Sequence, residues 1–154
     1  MSVKTWLALI VVVLIGVVGF LYLSQQPVVD IKDVTLGSNP IVEGYSSTLS
    51  FRVESNWNLP TGVYNVELRI EAPEILSFYV AGVGQLRRSG TIWYLPLGNL
   101  AKPFNMPVAL MVRAGRLPAL TSSITSSVTI KVYLGGELKV SETVNITVSK
   151  ATTS

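Results

Sequence analysis

Few side chains in this sequence could do chemistry. Its 154 residues hold no histidine and no cysteine. That removes the commonest general base, the commonest zinc ligand, thiolate nucleophiles and disulfides. A serine nucleophile then needs a lysine or carboxylate to take its proton. Ser149-Lys150 is such a neighbour pair, but it lies in a polar tail. Glu54, Glu67 and Glu71 fall on the wet sides of alternating segments, so no pair converges as glycoside cleavage requires. Gly82-x-Gly84 has neither the third glycine nor the following helix of a dinucleotide loop, and reads as a hairpin tip. Asp30-x-x-Asp33 offers two acids where calcium takes about 6–8 oxygens, and reads as a solvated linker. The expectation is a protein with no catalytic residue, no cofactor and no metal.

Four features point instead to surfaces. Asn145-Ile146-Thr147 is an acceptor sequon for N-linked glycan, significant only if that part of the chain is exported. Alternation with Val144, Ile146 and Val148 turns Asn145 to solvent. Trp57, between two asparagines in "SNWNLPTG", is either a partner contact or an aromatic packed into a corner, and the packed reading is favoured. In "NMPVALMVRAGRLPAL", Val108, Leu110 and Val112 alternate with Ala109 and Met111, so both faces are apolar. One face should be buried in the subunit. The other, with Ala109 and Met111, is either covered too or meets a partner, and a homo-oligomer is possible. The doublet Arg87-Arg88 reads as two solvated charges on a hairpin tip. A net charge of +3 is too small and too dispersed for a nucleic-acid face.

Trp6–Leu23 carries no charge and no strongly polar side chain. Eighteen helical residues span about 27 Å, near the thickness of a bilayer's hydrocarbon core. A cleavable signal has a shorter apolar core and a small-x-small exit. Here the exit is "FLYLSQQPVVD", and Pro27 stops the helix. Trp6 and Tyr22 bracket the run, as membrane-interface aromatics do. Val11, Val12, Val13, Val17 and Val18 are tolerated in lipid, where backbone groups must pair within the helix. A retained single-pass anchor in membrane lipid is expected, and a cleaved signal or a pilin-like processed helix is the alternative. Lys4 on the N-terminal flank places the N-terminus in the cytoplasm and the rest outside the cell membrane.

After Pro27 the period changes to two. Leu49, Phe51 and Val53 oppose Ser50, Arg52 and Glu54; Tyr64, Val66, Leu68 and Ile70 oppose Asn65, Glu67, Arg69 and Glu71. Further strands are predicted at 75–81, 91–95, 108–113, 127–134 and 138–148. A first strand near 28–36 brings the number to about eight. Gly135-Gly136 joins two alternating runs as a two-residue hairpin turn. Many short strands without strand–helix alternation predict an all-β, antiparallel immunoglobulin-like sandwich behind one transmembrane helix. The expected organisation is a cytoplasmic stub and helix (1–24), a stalk with the first strand (25–36), the sandwich (37–148) and a polar tail (149–154).

Three stretches, "NPIVEGYSSTLSFRVES", "ELRIEAPEILSF" and "WYLPLGNLAKPFNMPVALMVRA", resemble archaeal cell-surface immunoglobulin-like modules in their turns and strand order. With one N-terminal anchor, the chain is similar to the stator proteins of the archaellum, the archaeal swimming filament. That resemblance implies a sandwich outside the membrane that self-associates. It also implies protein partners at the cell surface, among them the surface layer or archaellum components.

The function expected is therefore non-enzymatic and structural: a membrane-anchored, extracytoplasmic protein-binding module. The alternatives are a pilin-like or envelope filament subunit packing its helices through Gly16 and Gly19, an accessory subunit docking in a membrane complex, and an exported ligand-binding module.

Overall fold

The computed structural model describes residues 2–24 and 26–152. An α-helix, α1 (Val3–Ser24), precedes eleven strands: β1 (Val29–Leu36), β2 (Ile41–Val42), β3 (Ser46–Ser55), β4 (Val63–Glu71), β5 (Leu76–Val80), β6 (Gly84–Gln85), β7 (Arg87–Ser89), β8 (Ile92–Ala101), β9 (Asn105–Ala114), β10 (Ser123–Leu134) and β11 (Glu137–Ser149).

α1 is apolar on every side, and none of the span Val3–Tyr22 is buried by the rest of the chain. Its 22 residues make a rod of about 33 Å. It is the one helix among the described residues long and apolar enough to cross a membrane.

The strands form two sheets. In the first, the order is β1-β3-β9-β5-β6; in the second it is β2-β11-β10-β4-β8-β7. Every pairing is antiparallel except β2 with β11. Inward side chains of both sheets meet in one hydrophobic core that includes Leu49, Phe51, Val53, Leu68, Ile70, Phe78, Trp93, Leu110, Val112, Ile130 and Val132. Phe78 of the first sheet meets Trp93 of the second edge to face, with ring centroids 5.7 Å apart. Each such buried side chain contributes about 1.5–3 kcal/mol by leaving water, and no disulfide assists.

Two strands change alternation midway. In β1, Val29 and Ile31 point inward, and so do Val34 and Leu36. The register against β3 shifts between Lys32 and Thr35, where Asp33 takes a φ of 55°. That bulge restores the apolar face after the slip, and aspartate tolerates the left-handed conformation better than most residues. β8 does the same at Gly98, with a φ of 84°, so Trp93, Leu95, Leu97 and Leu100 all face the core. The β10–β11 hairpin closes through Gly135 (φ 57°) and Gly136 (φ 84°), the two-residue turn expected from the sequence.

The first strand lies where it was expected, near 28–36: β1 pairs with β3 and buries Val29 and Ile31. Two expectations are corrected. Asp30 and Asp33 lie in this strand rather than in a linker. Arg87 and Arg88 are not on a hairpin tip: they form β7 on the edge of the second sheet and cover Tyr94 and Trp93, at 4.7 and 5.5 Å from the ring centroids.

Candidate functional site

The strand directions sort the loops into two ends. The residues following α1 enter at one end, together with the β3–β4 loop, the β8–β9 turn and the β10–β11 hairpin. The β1–β3 segment, the β9–β10 loop and the C-terminal tail lie at the other.

At the anchor end the β3–β4 loop grips the chain as it leaves the helix. The Asn56 amide N–H donates to Val28 O at 2.8 Å, and the Asn56 side-chain amide donates to Pro27 O. The Asn58 side-chain amide donates to Gln26 O at 2.8 Å. Lys102 Nζ donates to Trp57 O at 2.9 Å and also to Leu59 O, and Tyr64 Oη donates to Pro60 O at 2.7 Å. Leu59 plugs the end of the core at 3% exposure while Trp57 stands out at 63%. The corner-packing reading of Trp57 is thereby overturned: the loop spends Leu59 on the core and leaves the indole outside.

The outer face of the first sheet is the second candidate. β9 is a central strand, and Val108, Leu110 and Val112 are buried beneath it. Its other side carries Pro107, Ala109 and Met111, all exposed, Met111 at 49%. Thr48 and Tyr79 lie opposite Met111, and Ser50 opposite Ala109. Charges sit toward the ends and edge of this face: Lys32 pairs with Glu54 at 3.2 Å, Arg52 approaches Asp33 at 3.8 Å, and Arg113 stands at the far end. Arg52 lies directly opposite Pro107, so the uncharged part of this face is the patch of Ala109 and Met111 with Thr48, Ser50 and Tyr79. β9 is thus covered on one side within the chain, not on both.

The outer face of the second sheet is occupied by its own side chains. Arg69 lies 3.9 Å from the Tyr133 ring centroid and 5.4 Å from that of Tyr94, and its Nε donates to Glu67 Oε1 at 2.8 Å. That hydrogen bond raises the Arg69 pKa further. Lys131 pairs with Glu71 at 3.0 Å.

Asn145 is exposed in β11, as alternation predicted. Its Oδ1 accepts from Ser127 Oγ at 3.1 Å, and Thr147 Oγ1 lies 2.8 Å from Thr125 Oγ1. The Asn39 side-chain amide donates to Asn145 O at 3.2 Å and accepts from Thr147 N at 2.9 Å. The sequon backbone is thus held in the sheet on both sides, and a glycan would have to be added before or outside that pairing. Trp6 and Tyr22 lie on α1 about 24 Å apart along its axis, exposed at 54% and 68%.

At the far end Glu43 was not anticipated. Its Oε2 accepts from the Leu117 amide at 2.8 Å and its Oε1 from the Ala151 amide at 3.2 Å. The Leu117 bond is the main cause of a lowered pKa, with partial burial opposing it and Lys150 and Arg116 adding attraction. A lone glutamate in a loop carries no sequence signal for such a tie, which depends on contacts over 74 residues or more. Among the described residues no three His, Cys, Asp or Glu side chains gather as metal ligands would.

No family model matches this sequence, and no curated protein matches it. Solved structures do resemble it in fold. A cohesin module from a family 33 glycoside hydrolase of Clostridium perfringens is 12% identical with a TM-score of 0.53, covering 82% of this chain and 100% of that one. AvmM, which catalyses macrocyclization in alchivemycin A biosynthesis, is 9% identical with a TM-score of 0.50, covering 83% and 91%. Against the alkylpurine DNA glycosylase AlkC of Pseudomonas fluorescens, at 17% identity and a TM-score of 0.39, this chain spans only 30% of the other's length. At these identities the likeness to the cohesin module and to AvmM is one of fold alone.

Proposed function

We propose that this protein is a non-enzymatic, membrane-anchored structural module. Its immunoglobulin-like β sandwich stands outside the cell and binds other proteins there, and its N-terminus is cytoplasmic. The observation that carries the reading is the pairing of an uncovered, all-apolar α1 with a β unit that completes its own core. A helix apolar on all sides needs lipid or protein around it, and none of the span Val3–Tyr22 is buried among the described residues.

The surface left for partners is the β9 face with Ala109 and Met111. The resemblance in turns and strand order favours a surface-layer contact or an archaellum stator role. The reading of a filament subunit needs α1 to be covered by other copies. Gly16 and Gly19 leave open space on the helix, with nothing within 4 Å, which keeps close helix packing sterically available.

The test is fractionation followed by capture. The anchored module stays with carbonate-washed membranes, exposes its β unit to protease added outside intact cells, and binds isolated surface layer or archaellum components. Recovery in sheared extracellular fibres supports the filament reading instead, and recovery in the soluble fraction overturns both.

A further inference from the structure

We propose that the anchor end of the β unit is itself a lipid-contacting surface, with Trp57 seated in the headgroup zone of the membrane that holds α1. This rests on α1 being a retained membrane anchor.

Reach comes first. From Ser24, the last helical residue, to Gln26 the chain spans at most about 7 Å. The zone between hydrocarbon and water is about 5–7 Å deep on each side. Gln26, Pro27 and Val28 do not form a free tether: Asn56 and Asn58, the residues flanking Trp57, hold their three carbonyls. Trp57 therefore cannot rise far from the point where the chain leaves the bilayer.

Chemistry comes second. An indole pairs an apolar body with one N–H donor and partitions to the membrane interface. Trp57 is exposed in a loop whose own apolar demand is met by Leu59. Val63, at 69%, is exposed at the same end, where β4 begins. The segments 26–28, 55–63 and 102–105 contain no acid and one base, Lys102. The one acid of the nearby hairpin, Glu137, is paired with Lys139 at 3.2 Å. Lys102 holds the loop through two carbonyls, so the indole is presented on a fixed backbone and loses little freedom on insertion.

Leu120, fully exposed in the β9–β10 loop at the opposite end, is the internal control. Because the chain has no cysteine, Thr61→Cys and Leu120→Cys each give a single labelling site. The full-length chain is reconstituted in phosphatidylcholine vesicles at no more than one chain per vesicle, so a second copy cannot cover either site. Each cysteine carries an environment-sensitive fluorophore.

The expected result is a blue-shifted label at 61, several-fold less accessible to aqueous iodide than the label at 120, and quenched by lipid carrying a nitroxide near the headgroup. Adding Trp57→Ala to the Thr61→Cys chain restores iodide access. Equal iodide access at 61 and 120 on carbonate-resistant chains overturns the inference and leaves the anchor intact. Release of the chain by carbonate overturns the anchor and this inference with it.

Discussion

Glu43 is a single carboxylate that ties the β9–β10 loop to the C-terminal tail, through the Leu117 and Ala151 amides. Its pKa is lowered in the folded protein, first by the Leu117 hydrogen bond. A lowered folded-state pKa means that the tie is fully present above the ordinary carboxylate value. It weakens as pH falls through the lower, folded-state value. Amide exchange at Leu117 and Ala151, corrected for intrinsic rates, should therefore accelerate on acidification before the core amides do. In Glu43→Gln the same two amides should exchange faster at neutral pH, and the acid dependence should vanish. An unchanged profile in that variant would show that the loop is held without the charge. Trp57 shows at the same scale why residue type alone leaves burial open. "NWNLP" offers two apolar side chains to one core end, and it is Leu59 that enters, in a loop whose backbone is held by Lys102 from 43 to 45 residues away.

Elements were legible where they were long and periodic. β3, β4 and β10 each alternate over nine residues or more, so two-residue periodicity located them and their inward faces. β2, β6 and β7 have two or three residues each, too few for any period to show. β1 and β8 break alternation at bulges, which exist to keep both halves facing one core and are visible only once the partner strand is in place. The hairpin glycines were legible because a turn of positive φ demands them. Gly136→Val should cost about 1–2 kcal/mol, the penalty of a left-handed conformation for a residue with a Cβ, read as a lower denaturation midpoint with an unchanged slope. No loss of stability would mean that the turn can relax to another type. α1 carries a separate element-scale prediction. Val13→Arg places a charge near the middle of the span, which costs about 2.5–3.5 kcal/mol on insertion scales. The variant should shift toward the carbonate-soluble fraction while its β unit keeps its native strand signal. Full retention would mean that α1 is not held by burial in lipid.

At the scale of the whole molecule the two sheets are used unequally. The second sheet dresses its outer face with the Tyr133–Arg69–Tyr94–Arg87 stack, in which the two guanidinium groups cover the two tyrosine rings. The first sheet leaves Pro107, Ala109 and Met111 bare on a central strand, where exposure is not forced by an edge position. Five strands at about 4.8 Å spacing and up to ten residues long give a face about 19 Å wide and about 30 Å long. That rectangle is about 570 Å² at most, because β5 and β6 are shorter, and so falls below the roughly 800 Å² that one partner of a standard interface contributes. In the anchored arrangement proposed above, with Gln26–Val28 clamped to the β3–β4 loop, the strands would not swing freely about the membrane exit point, and a partner would reach this face from the side or as a neighbouring copy. Ala109→Glu combined with Met111→Glu would put two charges at the uncharged centre. Because both positions are exposed, unfolding free energy should change by less than about 1 kcal/mol, whereas chemical cross-linking of copies in the membrane, or retention on surface layer, should fall several-fold. Binding and cross-linking that survive both charges would remove this face from the interface.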